Sequence, residues 1–221
     1  MDVIQAIRDR HSVRNYLDKK IEPEKIEALK TKIDEVNREG DLHLQFLEDA
    51  GKTFNRLLNR ASGLGTAPSV IACAGPEDET LGERVGYYGE QVVLLAQDLG
   101  LNTCWAGIFN GKNVPLEKVP GEQLVIVIAV GYGRAQGTQH KSKTPEQVSP
   151  GFSERPDWFR FGVEMALLAP TALNQQKFEI SLNESGEPVF INKGGPFSKV
   201  DMGIVRYHFE AGEAYAKSQL K

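Results

Sequence analysis

Residues 124–130 (LVIVIAV) are the stretch on which the fold depends, with seven consecutive apolar residues closed by Gly131. β-Branched side chains dominate this run, and it is short. A run of this kind is typical of a strand covered on both faces, so we expect a central strand here. It is also the longest apolar run of the chain. Since a membrane helix needs about 18 such residues, the sequence predicts no span.

Helical and extended patterns surround this strand. Residues 84–99 are apolar almost all round, which predicts a helix in the centre of the fold. The patterns predict further helices before residue 20 and at 23–36, 158–168 and 200–217, and strands at 42–47, 69–74, 101–109, 178–182 and 189–191. Gly212 weakens the last helix slightly. Residues 52–65 are helical or irregular by pattern, and the polar residues 134–157, with three prolines, are a candidate linker.

Composition narrows the class of protein. The 221 residues are 40% hydrophobic and carry a net charge of −4, which is ordinary for a globular domain and unlike a disordered chain. A pI near 5.7 argues against a nucleic-acid binder. The charged N-terminus lacks the apolar core of a signal peptide, so we expect a cytoplasmic protein. Two cysteines cannot form a disulfide framework.

No catalytic constellation stands out. The four histidines lack metal-ligand spacing; His43 is interpreted as a strand-surface residue and His208 as a solvated helix residue. Cys104 lies in an apolar run, so we interpret it as a small buried hydrophobic residue rather than a reactive thiol. Two basic pairs, Arg10/Arg14 and Lys141/Lys143, could together hold one phosphate if the fold joined them. The residues alone indicate an α and β domain with a candidate anion site.

Four stretches extend this interpretation. They are 10–16 (RHSVRNY), 100–107 (GLNTCWAG), 127–133 (VIAVGYG) with the following 141–143 (KSK), and 169–176 (APTALNQQ). Together they resemble motifs of the FMN-dependent nitroreductase family, and the similarity spans nearly the whole chain. The resemblance implies an α+β fold with a central mixed or antiparallel sheet flanked by helices, and FMN as cofactor.

The resemblance also implies a set of FMN-binding residues. Arg10, Arg14, Lys141 and Lys143 would neutralise the phosphate, with Ser12 as a hydroxyl donor beside His11. The backbone of Ala106, Gly107 and Ile108 would face flavin N5. Asn174 would bond the ribityl chain or ring edge, Pro170, Thr171 and Ala172 would shape the wall, and Gln176 is a weaker candidate. Trp105 and Phe109 border the ring or simply pack in the core.

One departure from the family pattern suggests how the chain is organised. The motif at 169–176 is placed near residue 40 in ordinary members, which are homodimers that exchange it between subunits. Here it follows a second helix–strand–strand–helix series, at 158–217, which repeats the order of 23–99. We therefore predict that residues 1–150 form one half of the site and residues 151–221 a built-in partner. The molecule would then be a monomer or a homodimer.

The family mechanism implies a function. NADH or NADPH would reduce FMN and leave, and a nitroaromatic or quinone-like acceptor would replace it, in a ping-pong reaction. Residues 48–66 and 134–157 are predicted to form the substrate wall. Two alternatives stay open: a flavin-binding or flavin-sequestering protein with little turnover, and another reaction of the superfamily, such as flavin fragmentation or dehalogenation. A third, a cofactor-free interaction domain, would leave the four basic residues solvated.

Overall fold

A four-stranded antiparallel sheet forms the centre of the protein. The computed structural model describes residues 1–48, 53–54, 64 and 67–219. Strands β1 (His43–Leu47), β2 (Ser69–Pro76), β3 (Asn102–Ala106) and β4 (Glu122–Gly131) are arranged in the order β1–β2–β4–β3. The LVIVIAV run lies in β4, which pairs antiparallel with β2 on one side and β3 on the other. The prediction of a central strand is therefore confirmed.

Six helices and a β-hairpin complete the described structure. The helices are α1 (Val3–Asp9), α2 (Pro23–Gly40), α3 (Leu81–Asp98), α4 (Pro145–Val148), α5 (Asp157–Ala166) and α6 (Ser198–Gln219), and the hairpin joins β5 (Phe178–Leu182) to β6 (Pro188–Asn192). The predicted helices and strands are thus present, with ends that differ by a few residues. The prediction for 52–65 lies almost wholly outside the described residues.

The segment 134–157 is more than a linker, which corrects the prediction. It contains α4 and a 3₁₀ turn at Phe152–Glu154. Helix α4 begins with Pro145 in its first turn, and a capping box joins Thr144 to Gln147. Because a capping box satisfies two backbone donors that a helix leaves free, so short a helix can form at this point.

Helices α3 and α6 touch backbone to backbone. A Cβ atom added at Gly86 would lie 2.1 Å from the carbonyl oxygen of Val200, and one added at Gly203 would lie 2.0 Å from that of Glu83. Gly212 likewise lets α6 approach α5, since its Cβ would be 3.1 Å from the Cα of Gly162. The glycine that weakened the helix prediction thus serves close packing.

The core runs from the sheet into the C-terminal helices without a break. Phe159 of α5 and Phe209 of α6 are fully buried, and their rings meet edge to face with centroids 5.5 Å apart. They belong to the same apolar cluster as Ile71 and Ile128 of the sheet. Within the described ranges, no helix has both the length and the apolar character needed to cross a bilayer.

The contact between α3 and α6 can be tested by adding one methyl group. We expect Gly203→Ala to lower the free energy of unfolding by about 2–3 kcal/mol or more, because its Cβ would force two backbones apart. Urea denaturation would measure the change. Gly111→Ala is the matched control, since its Cβ would meet the Phe109 ring at an ordinary 3.7 Å. Equal stability of the two variants would contradict the close helix contact.

Candidate functional site

The N-terminal basic segment, residues 10–16, runs beside the edge strand β3 and is hydrogen-bonded to it. The amide of Val13 donates to the carbonyl of Thr103 at 2.9 Å, and Tyr16 forms an antiparallel bridge with Gly133. Val13 is buried in the core, whereas its neighbours Ser12 and Arg14 line a cleft. This is the alternation expected of an extended chain, in which successive side chains point to opposite faces.

The cleft has a basic end with a volume of about 350 Å³. Its walls come from three segments of the chain: Arg10, His11, Ser12 and Arg14; residues 137–140; and Pro170, Thr171 and Asn174. The structure therefore brings the N-terminal motif and the 169–176 motif together, although some 160 residues separate them in the sequence.

An apolar end of about 260 Å³ adjoins the basic end, because Ser12, Arg14, Pro170 and Thr171 line both. It is bordered by residues 104–108 at the end of β3, by residues 170–173, and by Phe197, Val200, Asp201 and Ile204 near the start of α6. The predicted residues Ala106, Gly107, Ile108 and Ala172 all lie here. A mostly apolar pocket with a few convergent polar groups is the usual form of a small-molecule site.

Arg10 is the most unusual group in the cleft. Its side chain is only 3% exposed, and its Nε has no hydrogen-bond partner within the described part of the chain. The nearest carboxylate oxygen, Oε1 of Glu90, is 3.7 Å away. Burial lowers the pKa of Arg10, and the charge of Glu90 opposes this effect. A buried cation that lines a cleft and is not fully compensated suits an anionic ligand.

Glu90 links this arginine to the C-terminal helix. The fully buried carboxylate of Glu90 accepts a hydrogen bond from Trp105 Nε1 at 2.7 Å and lies 3.0 Å from His208 Nε2. The other ring nitrogen of His208 lies 3.2 Å from the carbonyl of Met165. The prediction of a solvated His208 is thus wrong, because α6 packs against both α3 and α5 at this position.

Polar side chains of the 169–176 motif hydrogen-bond the loop that contains Lys141, and not all of them line the cleft. Asn174 Nδ2 and Gln176 Nε2 each donate to the carbonyl of Lys141 at 2.9 Å. Lys143 Nζ in turn donates to the carbonyl of Gln176 at 2.6 Å. Asn174 borders the basic end of the cleft, while Gln176, Lys141 and Lys143 are outside the lining of both ends. Their predicted FMN contacts stay predictions.

The sequence indicates some residues of the cleft, among them His140 in the predicted wall segment 134–157, and gives no signal for others. His140 lies at the basic end, where its Nε2 is 3.0 Å from the carbonyl of Leu167, and burial lowers its pKa. Phe197 and Asp201 line the apolar end. Cys104 is buried there too, as predicted for a small hydrophobe, and burial raises the pKa of its thiol. A polar–apolar pattern at 196–201 does not reveal which side chains reach a cleft formed by distant segments.

Comparison with known proteins places the chain in a family. The model of the family described as "Putative TM nitroreductase" matches residues 2–213. The chain belongs to the TM nitroreductase family. No curated protein matches it in sequence.

Solved structures share the fold of this TM nitroreductase family member. A "putative nitroreductase" from Thermotoga maritima MSB8 has a TM-score of 0.69 at 24% identity, over 99% of this chain and 86% of the other. A "putative nitroreductase in complex with FMN" from Desulfovibrio desulfuricans has a TM-score of 0.51 at 18% identity, over 66% of this chain and 94% of the other. A "putative NADH dehydrogenase/NAD(P)H nitroreductase" from Parabacteroides distasonis has a TM-score of 0.54 at 22% identity, over 67% and 96%.

Asp201 is the buried carboxyl at the apolar end of this nitroreductase-family cleft. It accepts hydrogen bonds from the amide of Ala172 at 2.9 Å and from Gln175 Nε2 at 2.7 Å. Burial nevertheless dominates and raises the pKa of Asp201 to about 6. The ionised form is therefore less favourable in the folded protein than in the unfolded chain.

Asp201 gives a pH dependence with a definite sign. Because its pKa is higher in the folded state, that state binds the extra proton between about pH 4 and 6, and stability falls as pH rises through this window. We expect the stability of the natural chain relative to Asp201→Asn to fall by on the order of 2–3 kcal/mol from about pH 4 to 7. Chemical denaturation of both proteins at several pH values measures this difference. The contributions of the other titrating groups cancel, because both proteins contain them. A difference that is flat or rises with pH would contradict the raised pKa.

Proposed function

We propose that this TM nitroreductase is an FMN-dependent oxidoreductase that takes electrons from NADH or NADPH and passes them to a nitroaromatic or quinone-like acceptor. The observation that carries the proposal is the cleft itself. One end holds the buried Arg10 with its unpartnered Nε, and the other end is apolar. A flavin nucleotide has the same division, with an anionic phosphate at one end and a flat ring at the other.

The basic end fits a phosphate dianion. Arg10 and Arg14 supply the positive charge, and Ser12 supplies a hydroxyl donor between them. Charge-assisted hydrogen bonds from guanidinium groups to phosphate are among the strongest polar contacts in proteins. An anion bound here would also compensate the buried charge of Arg10, which Glu90 compensates only at 3.7 Å. These residues are therefore proposed to bind and orient the cofactor.

The apolar end fits the isoalloxazine ring and the molecules that react with it. When bound, FMN supplies the hydride chemistry, so the protein needs no general acid or base for that step. The chain's own contribution is to shape this end and exclude water, through residues 104–108 and 170–172. We propose that the backbone of Ala106, Gly107 and Ile108 lies along the reactive edge of the ring. Alternate occupation of this one space by nicotinamide and acceptor would give ping-pong kinetics.

We further propose that the two parts of the chain act as the two halves of a family dimer. Among the described helices and strands, both have the order helix–strand–strand–helix, as α2–β1–β2–α3 and α5–β5–β6–α6, and both strand pairs are antiparallel. Residues on each side of residue 150 line the cleft. The close contact of α3 with α6 would then take the place of a subunit interface.

A spectrum of the purified protein tests the proposed activity. We expect visible flavin absorption, either as isolated or after adding FMN, that bleaches when NADH or NADPH is added under argon and returns with menadione. Flavin bands that persist with both nucleotides would favour a flavin-binding protein with little turnover. A protein that stays colourless with added FMN would overturn the proposal.

The role of the basic end has its own test in Arg14→Met. Arg14 is exposed and lines both ends of the cleft, so its removal should leave the melting temperature unchanged and weaken FMN binding about tenfold. Fluorescence titration of the apoprotein with FMN measures the affinity. Arg38→Met on α2 is the matched control, because Arg38 is absent from the lining of the cleft. Equal FMN affinity in both variants would contradict a phosphate site at the basic end.

A further inference from the structure

Three large apolar side chains stand exposed around the mouth of the apolar end. Leu173 is 89% exposed, Ile108 48% and Phe197 39%, and all three line this cavity. Single exposed apolar residues are common on protein surfaces and need no explanation. Three around one concave opening are different, since a contiguous exposed apolar surface usually marks a binding site.

The backbone that presents two of these side chains is strained. Leu173 has φ of 54° and Phe197 of 55°, in the left-handed region that side chains other than glycine disfavour. Among the described residues, four of the five non-glycine positions with positive φ lie in the segments 173–176 and 197, beside the cleft. Strain concentrated at one place is characteristic of functional sites.

A set of hydrogen bonds holds the two strained segments together. Gln175 Nε2 donates both to Asp201 Oδ2 at 2.7 Å and to the carbonyl of Pro196 at 2.9 Å. Asp201 Oδ1 accepts from the amide of Ala172 at 2.9 Å, and the amide of Asp201 donates to the carbonyl of Phe197 at 2.9 Å. The segment that carries Leu173 and the segment that carries Phe197 are therefore positioned against one another.

The Phe197 ring packs closely against the backbone at Gly107. A Cβ added at Gly107 would lie 2.3 Å from Cε2 of Phe197. The ring thus lies against the residue that follows β3, and it lines the cavity there. An aromatic side chain in the lining offers an apolar surface on which a flat ring can pack.

We propose that Leu173 and Phe197 determine which electron acceptor enters, as an apolar clamp for a flat, uncharged ring. The clamp is defined by these two side chains, and the inference rests on the proposed function of the cleft. Their place around a concave cavity of about 260 Å³, rather than on a flat face, favours a small molecule over a second protein. Asp201 and Gln175 are positioning residues for the clamp.

The test is equilibrium binding of menadione to the oxidised, FMN-loaded protein without any reductant. Calorimetry gives the dissociation constant, so the result does not depend on turnover. We expect Leu173→Asn to weaken menadione binding about fivefold and Phe197→Ala about tenfold, because each removes apolar surface from the bound ring. FMN affinity should change less than about twofold in either variant, as expected if these two side chains contribute only a small part of the FMN-binding free energy.

Leu173→Asn separates this role from a structural one. Asparagine adopts the left-handed conformation more readily than leucine, and so exposed a leucine contributes little burial. The melting temperature should therefore stay the same or rise while menadione binding weakens. Leu17→Asn makes the same change at a leucine outside the cleft lining and should leave menadione binding unchanged.

The outcomes separate the clamp from the proposed function. Failure to bind FMN would overturn the proposed function and the clamp with it. FMN binding with menadione affinity unchanged in both variants, or with no menadione binding at all, would overturn the clamp alone. Gel filtration gives a further outcome. If the natural chain is dimeric and the Leu173→Asn variant is monomeric, this rim is an interface between two copies of the chain, and the clamp is overturned.

Discussion

The buried carboxylate of Glu90 is the interaction around which the site is arranged. A charge with no exposure to water is stable only if its surroundings compensate it, and here the partners come from three distant parts of the chain. Arg10 follows α1, Trp105 lies in β3, and His208 lies in α6. The contacts of Glu90 thus help to position three parts of the molecule. These are the guanidinium of Arg10 at the basic end, Trp105 in the wall of the apolar end, and helix α6.

The helix contact beside Glu90 makes this arrangement possible. Gly86 and Gly203 let α3 and α6 approach until their backbones touch, which brings His208 within 3.0 Å of Glu90. Side chains at either glycine would hold α6 away and leave the carboxylate short of a partner. The start of α6 would move as well, and with it the Asp201 that fastens the segment 172–175. Packing and site geometry therefore depend on the same pair of small residues.

Much of the fold could be predicted from the sequence, because apolar runs and helical spacing report burial directly. The pattern of residues 124–130 predicts the central strand, and the motif resemblance implies one site for Arg10, Arg14 and Thr171, which all line the cleft. His208 could not be placed, since helical spacing does not show that a helix is covered on two sides. Leu173 and Phe197 were missed because hydrogen bonds to Gln175 and Asp201, not local preference, hold the segments that carry them. The hydrogen bonds of Lys141 and Lys143 to the 174–176 turn also depend on tertiary contacts.

One chain supplies both walls of the cleft, from positions 10–14 and from positions 170–201. Where two subunits share a site, its concentration follows an association equilibrium, and dilution can abolish it. Here the described walls belong to one chain, so bringing these walls together requires no second subunit. The two walls can also change separately in evolution. A substitution on one side occurs once per cleft, without the symmetric copy that a homodimer would impose.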